Sequence, residues 1–186
     1  MKRLSIMVMS IVILFSLAYA HDGAISLYTD ETATDCDANL AMFQQDTVYV
    51  LYIRDNGPQL GRALQFRLLS STASLNVVSE TWRPDMILTI GNVFSGISLT
   101  AADCLGAQQD NVYIGMVAFL NVGDTDTFTV RVVDDPNAAP DPGIFITLCE
   151  TGDPMYRVLG GTFVYNGSCN PGVEATSWGA IKSMYK

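Results

Sequence analysis

Apolar and polar residues alternate with a period of two along several segments of this 186-residue chain. In segment 63–68, Leu64, Phe66 and Leu68 fall on one face, and the residues between them fall on the other. This period is that of a β-strand, whose successive side chains point to opposite faces of a sheet. Strands with one apolar face bury it most simply when two sheets pack face to face.

Nine strand-like segments recur at short intervals, separated by turns rich in Gly, Pro, Asn and Asp. This spacing predicts an all-β fold, namely an antiparallel β-sandwich of the immunoglobulin-like or jelly-roll type with about nine strands. Segment 47–53 is apolar on both faces, as expected of a central strand. The nine predicted strands are 24–28, 47–53, 63–68, 75–80, 87–90, 112–120, 127–132, 144–148 and 161–165.

The first twenty residues have the three parts of a secretory signal peptide. Lys2 and Arg3 give a basic start, an apolar run follows from 4 to 17, and Ala18-Tyr19-Ala20 forms a small-x-small cleavage site. We expect cleavage after Ala20 and a secreted, periplasmic or cell-surface protein; the alternative is an uncleaved N-terminal anchor. The mature chain has no second apolar stretch long enough to span a membrane.

The predicted regions are therefore a signal peptide at 1–20, one β-sandwich domain at 21–170, and a C-terminal tail at 171–186. The tail is the one region with a helical pattern, and we expect a short helix there. Trp178, Ile181 and Tyr185 would share one face of it. That face either packs on the sandwich or contacts a partner.

Cys36, Cys104, Cys149 and Cys169 all lie in the predicted mature chain. An even number of cysteines in an exported protein indicates two disulfides. Four cysteines allow three pairings, and the sequence does not choose among them. We expect Cys36–Cys104 and Cys149–Cys169, because the second bridge would close a hairpin-sized loop.

The formal charge is −9 at pH 7. An acidic chain repels phosphate backbones, so nucleic acid is not expected as a partner. Asp30, Asp35 and Asp37 lie in an acid-rich loop segment whose oxygen ligands would suit Ca²⁺. The alternative is that these residues cap turns and keep the protein soluble. No other cofactor is expected.

Aromatic residues in the predicted strands have two interpretations. If exposed, they would form a platform that stacks on sugars, with Trp82 the best member because it lies near a strand end. If buried, they pack in the core or across strands. The other members of this set are Tyr49, Tyr52, Tyr113 and Phe119.

The order of the strands resembles that of secreted bacterial cohesins and carbohydrate-binding modules. The resemblance covers about residues 24 to 133 and implies a two-sheet fold. The four cysteines and the Trp178 tail depart from the usual cohesin pattern, so no dockerin-binding residue is carried over. The segments that carry it are Asp46-Thr47-Val48-Tyr49-Val50, Gly61-Arg62-Ala63-Leu64-Gln65-Phe66, Leu75-Asn76-Val77-Val78-Ser79, 112–119 and 124–130.

No catalytic motif is present, and the single histidine, His21, would be the first residue after cleavage. We therefore expect a secreted non-enzymatic binding or structural module that acts through protein–protein contacts. The alternative is a carbohydrate-binding module that contacts polysaccharide. A further alternative is a secreted hydrolase with paired carboxylates, which leave no sequence signature.

Overall fold

The computed structural model describes residues 23–54, 60–106, 111–123, 125–138 and 141–169. These residues form an all-β fold of thirteen strands and contain no helix. The predicted signal peptide, the predicted C-terminal helix, and Trp178, Ile181 and Tyr185 lie outside the described residues. The strands are β1 (Ala24–Tyr28), β2 (Asp37–Ala38), β3 (Gln45–Ile53), β4 (Gly61–Ser70), β5 (Leu75–Trp82), β6 (Met86–Asn92), β7 (Gly96–Leu105), β8 (Asn111–Asn121), β9 (Phe128–Val133), β10 (Phe145–Leu148), β11 (Met155–Arg157), β12 (Leu159–Gly160) and β13 (Thr162–Tyr165).

The strands form two sheets. One has five strands in the order β12-β1-β3-β8-β5, and the other has eight strands. In the larger sheet the order is β11-β10-β4-β9-β13-β2, with β7 also pairing with β4 and β6 pairing with β7. The first part of β4 pairs with β7 and β10, and its last four residues pair with β9.

The prediction of a purely antiparallel sandwich is wrong at two edges. Strand β1 pairs in parallel with β12, and β2 pairs in parallel with β13. Parallel neighbours need a long connection, and here nearly the whole domain lies between the two members of each pair. Alternation within a strand carries no information about the direction of its neighbour, so the sequence could not have indicated this.

All nine predicted segments are strands, but the predicted number is too low. Strands β2, β11 and β12 have two or three residues each, too few to show a periodic pattern. Strand β7 is ten residues long and was detectable, because Ile97, Leu99 and Ala101 alternate and are fully buried. The prediction that 47–53 is central is confirmed, since β3 lies between β1 and β8.

The core lies between the two sheets. The inward residues of β3 are Val48, Val50 and Tyr52, and all three are fully buried. The opposite sheet contributes Leu64, Phe66 and Leu68 from β4, with the alternation that the sequence predicts. The described part of the chain contains no helix that is long and apolar enough to cross a membrane.

All four cysteines are in disulfides, as predicted, but the expected pairing is wrong. The bridges are Cys36–Cys169 and Cys104–Cys149, with Cα atoms 5.8 and 5.9 Å apart. Cys36 lies beside the last strand because the Val164 N–H of β13 donates to the Cys36 carbonyl. The second bridge joins the ends of β7 and β10, which both pair with Gly61 at the start of β4. The pairing of the strands, not closeness in sequence, determines which cysteines are bonded to each other.

Candidate functional site

The outer surface of the larger sheet carries two rows of side chains across β6, β7, β4, β10 and β11. We call this surface the groove face. It points away from the core because the residues between its members, such as Leu64, Leu99 and Ile146, are buried inside the sandwich. The first row is Ile90, Ser98, Gln65, Phe145 and Arg157, and the second is Leu88, Thr100, Ala63, Thr147 and Met155.

A groove of about 240 Å³ lies in the middle of this face. Its floor is made of small side chains from three neighbouring strands: Ala63, Ser98, Thr100 and Thr147. Larger side chains stand beside them, among them Phe145 and Met155. Small residues between large ones make a depression in an otherwise flat sheet surface, so the groove is a direct consequence of residue size.

Gln65 lies in the groove and has the longest polar side chain of its lining. Its Nε2 donates to the Ser98 Oγ at 2.9 Å, across the β4–β7 pair. Its Oε1 is buried and has no hydrogen-bond partner among the residues that the structure describes. A buried unpaired acceptor costs free energy, so this position favours a bound group that donates a hydrogen bond.

Strand β6 borders the groove and exposes apolar side chains. Ile87, Leu88 and Ile90 are 69%, 48% and 59% exposed. In the described part of the chain β6 pairs only with β7, so it is an edge strand. Exposed edges are usually protected by charged residues or proline, and β6 has neither. An unprotected apolar edge beside a groove is typical of an interaction surface.

Three arginines lie on the outer surface of the same sheet. Arg67 on β4 and Arg131 on β9 alternate with inward-facing core residues, and Arg157 pairs with the outward Phe145. The Arg157 guanidinium lies 5.6 Å from the centre of the Phe145 ring and donates to the Pro142 carbonyl. This set was not predicted, because it depends on the register of strands that are distant in sequence.

The structure does not bring Asp30, Asp35 and Asp37 together as a metal site. No group of three or more His, Cys, Asp or Glu side chains that could hold an ion occurs among the described residues. The Asp30 carboxylate accepts hydrogen bonds from Thr32 and Thr34, which hold its pKa well below the usual range. Asp37 accepts a hydrogen bond from the Cys169 N–H at 2.8 Å. Calcium binding by these residues stays a prediction.

The five aromatic residues do not form one platform. Tyr52 and Phe119 are fully buried in the core. Trp82 is half-buried, with its ring centre 6.4 Å from that of Phe66 in an edge-on arrangement. It also lies against Gly115, where an added β-carbon would come within 2.4 Å of a ring carbon. Trp82 therefore packs against the core, and its role as a partner contact stays a prediction.

Tyr49 and Tyr113 lie together on the outer surface of the five-stranded sheet. Their ring centres are 6.0 Å apart and their planes are tilted by 56°. Tyr28 is the cross-strand neighbour of Tyr49, so three half-buried tyrosines share this surface. Burial raises the pKa of Tyr113, and the nearby Glu31 carboxylate adds to the effect.

Among the described residues, two carboxyl groups have a pKa that clearly departs from its usual value: those of Asp30 and Asp85. Both pKa values are lowered, that of Asp85 chiefly by hydrogen bonds from the Arg83 guanidinium. A general acid for glycoside hydrolysis needs a raised pKa so that it stays protonated. Neither carboxyl group suits that role.

The fold is similar to that of solved cohesin modules. The cohesin module of a family 33 glycoside hydrolase from Clostridium perfringens has a TM-score of 0.55 and 7% sequence identity, over 78% of this chain and 96% of that one. The third ScaB cohesin of R. flavefaciens, solved in complex with a group 1 dockerin, has a TM-score of 0.50 and 9% identity, over 80% of this chain and 99% of that one. The sequence matches no family model and no curated protein. The expected cohesin-like resemblance is thus confirmed for the fold.

Proposed function

We propose that this chain is a non-enzymatic protein-binding module that acts outside the cytosol through its groove face. The observation that carries this proposal is the exposed apolar edge of β6, at Ile87, Leu88 and Ile90, beside a groove. Apolar anchors in a pocket surrounded by polar residues are the usual centre of a protein interface. A sandwich of similar fold has been solved with a protein, a dockerin, bound to it.

The location is proposed from two features. The first twenty residues have the pattern of a signal peptide. The domain contains two disulfides, Cys36–Cys169 and Cys104–Cys149, which persist in oxidising compartments and are rare in the cytosol. Secretion to the periplasm, the cell surface or the medium accounts for both.

The test compares capture of proteins from the producing cell's extracytoplasmic fraction by the immobilised mature chain and by two double variants. Leu88→Ser with Ile90→Ser removes the apolar edge of β6. Val78→Ser with Val122→Ser removes two exposed apolar side chains elsewhere and is the matched control. We expect the first variant to lose the captured protein and the second to retain it, with all three chains showing the same thermal stability.

Equal capture by both variants would contradict the groove face as the binding site.

Polysaccharide binding is the second candidate function, and the cluster of Tyr28, Tyr49 and Tyr113 on the other sheet favours it. Aromatic rings at a surface can stack on sugars. Two results together would favour polysaccharide binding: the Leu88→Ser, Ile90→Ser variant is retained on insoluble polysaccharide, and no chain captures a protein.

A further inference from the structure

We propose that the partner of the groove face is acidic: a protein segment that presents Asp or Glu carboxylates beside an apolar side chain. This inference rests on the proposed function and specifies the chemistry of the partner. Its basis is the juxtaposition of Arg67, Arg131 and Arg157 with the apolar edge of β6 on one sheet surface.

The distribution of charge over the chain is uneven. The whole chain has only ten basic residues against nineteen acidic ones. Three of the ten are the arginines of this surface, and they occupy outward positions of β4, β9 and β11. The strands of this sheet contain two acidic residues: Asp103, which is exposed near the end of β7, and Asp37 on β2 at the far edge, whose carboxylate accepts a hydrogen bond from the Cys169 N–H. A basic zone therefore lies in an acidic molecule.

The arginines are spaced to meet one segment. Arg131 is diagonal to Arg67 across the β4–β9 pair, a relation that places Cα atoms about 7–8 Å apart. Arg157 lies two strands from Gln65 through Phe145, which corresponds to about 10 Å. The separation of Arg67 and Arg131 is within the Debye length of about 8 Å at physiological salt, so the fields of these two arginines overlap. Arg157 is in register with Gln65, two residues from Arg67, and therefore lies about 12 Å from Arg67 and adds a more distant positive charge.

The guanidinium groups are not used in ion pairs within the described part of the chain. The ion pairs there join Arg62 to Asp153 and Arg83 to Asp85. Within the described ranges, Arg67 has a buried Nε without a hydrogen-bond partner, on the same surface as the unpaired Oε1 of Gln65. A partner that supplies a carboxylate to Arg67 and a hydrogen-bond donor to Gln65 would remove the free-energy cost of leaving these two buried atoms unpaired.

The neighbourhood of these arginines favours protein carboxylates over phosphate. Leu88 and Ile90 are exposed and apolar, and apolar side chains beside carboxylates occur in proteins, not in a phosphate backbone. A long polyanion would also extend past this zone and meet the rest of a chain that carries a charge of −9. A short acidic segment interacts with the local arginines and avoids that repulsion.

The experiment selects displayed random twelve-residue peptides on the immobilised mature chain at low salt. We expect the enriched peptides to combine Asp or Glu with Leu, Ile or Phe. Synthetic copies of them should bind about tenfold more weakly to an Arg67→Gln, Arg131→Gln variant, because removal of steering charges slows association. The matched control is Asn76→Glu with Ser79→Glu, which makes the same change in net charge at exposed positions of the other sheet and should leave binding within about twofold.

Enrichment of basic or neutral peptides, no enrichment, or equal weakening by both charge variants would overturn the inference. So would a dimer of the mature chain that dissociates on Arg67→Gln, Arg131→Gln substitution, since the occupant would then be a second copy. If the peptides bind normally to the arginine variant and fail to bind only the Leu88→Ser, Ile90→Ser variant, the proposal of an acidic partner is refuted and the groove face remains a binding site. Peptides that no variant affects would refute both proposals.

Discussion

Asn166 shows how a single side chain can replace a stretch of strand. It has a positive φ of 56° just after β13. Its Oδ1 accepts from the Leu40 N–H at 2.8 Å and its Nδ2 donates to the Leu40 carbonyl at 3.1 Å, so the amide pairs with the backbone as a neighbouring strand would. Asn tolerates this backbone conformation better than most residues.

Asn166→Ala should destabilise the fold, because it removes both hydrogen bonds from a part-buried site. The expected loss in the free energy of unfolding is about 1–3 kcal/mol, measured by urea denaturation. Asn166→Asp keeps the acceptor but places a carboxylate oxygen against the Leu40 carbonyl, so it should destabilise the fold at least as much as Asn166→Ala. An unchanged midpoint for Asn166→Ala would show that water replaces the amide at no cost.

Tyr165 links stability to alkaline pH. It is fully buried, and its hydroxyl donates to the Asp46 carboxylate at 3.1 Å. Burial, with the Asp46 charge, raises the pKa of Tyr165 far above its usual value of 10.0. The folded state therefore holds the phenol proton more tightly than the unfolded state, so this contribution is complete below pH 10 and is lost as the pH rises above it.

Tyr165→Phe should therefore be less stable than the natural protein at pH 7, because it loses the hydrogen bond. The difference in melting temperature should shrink as the pH rises above about 10, where the unfolded natural protein ionises Tyr165 and the variant has no phenol. Thermal melts from pH 7 to above 11 measure this difference. A gap that stays constant over that range would contradict the linkage.

At the scale of elements, the two disulfides should contribute unequally. Cys36–Cys169 spans 133 residues and Cys104–Cys149 spans 45. Chain entropy gives about 5 kcal/mol for the longer loop and about 4 kcal/mol for the shorter one. Replacing Cys36 and Cys169 by Ser should therefore lower the free energy of unfolding by about 1 kcal/mol more than replacing Cys104 and Cys149.

Denaturation of the two double variants measures this order. The connectivity is checked separately by mapping peptides of the non-reduced protein, and a peptide that joins Cys36 to Cys104 would contradict the structure. Equal stabilities of the two variants would indicate that residual structure in the unfolded chain, not loop length, sets the contribution of each bridge.

The elements also show how far the sequence could predict the fold. Strands such as β4 and β9 were predicted because a strand that buries one face has apolar and polar residues in alternation, and this alternation is visible in the sequence. The pairing of Cys36 with Cys169 was not, because it depends on β2 lying beside β13. The groove face was missed for the same reason: segment 87–90 was predicted as a strand, but its position at an exposed edge follows from the order of strands.

At the scale of the whole molecule, the two outer surfaces differ in chemistry. The five-stranded sheet presents Tyr28, Tyr49 and Tyr113, and the larger sheet presents the apolar edge of β6 with three arginines. Net charge predicted correctly that the chain is acidic overall, but it could not show a local basic zone. The arginines of that zone are far apart in sequence, and only the assembled sheet brings them to one surface.

The pairing of β1 with β12 and of β2 with β13 has a consequence for synthesis. A growing chain emerges from the ribosome with its N-terminal strands first, and their partners are made much later, because Ala24 pairs with Leu159 and Asp37 with Val164. Neither sheet can be completed before residue 160 has left the ribosome. Contacts this distant along the chain also slow folding, so the proposed secretion would act on a chain that has not yet folded, as passage through a translocation channel requires.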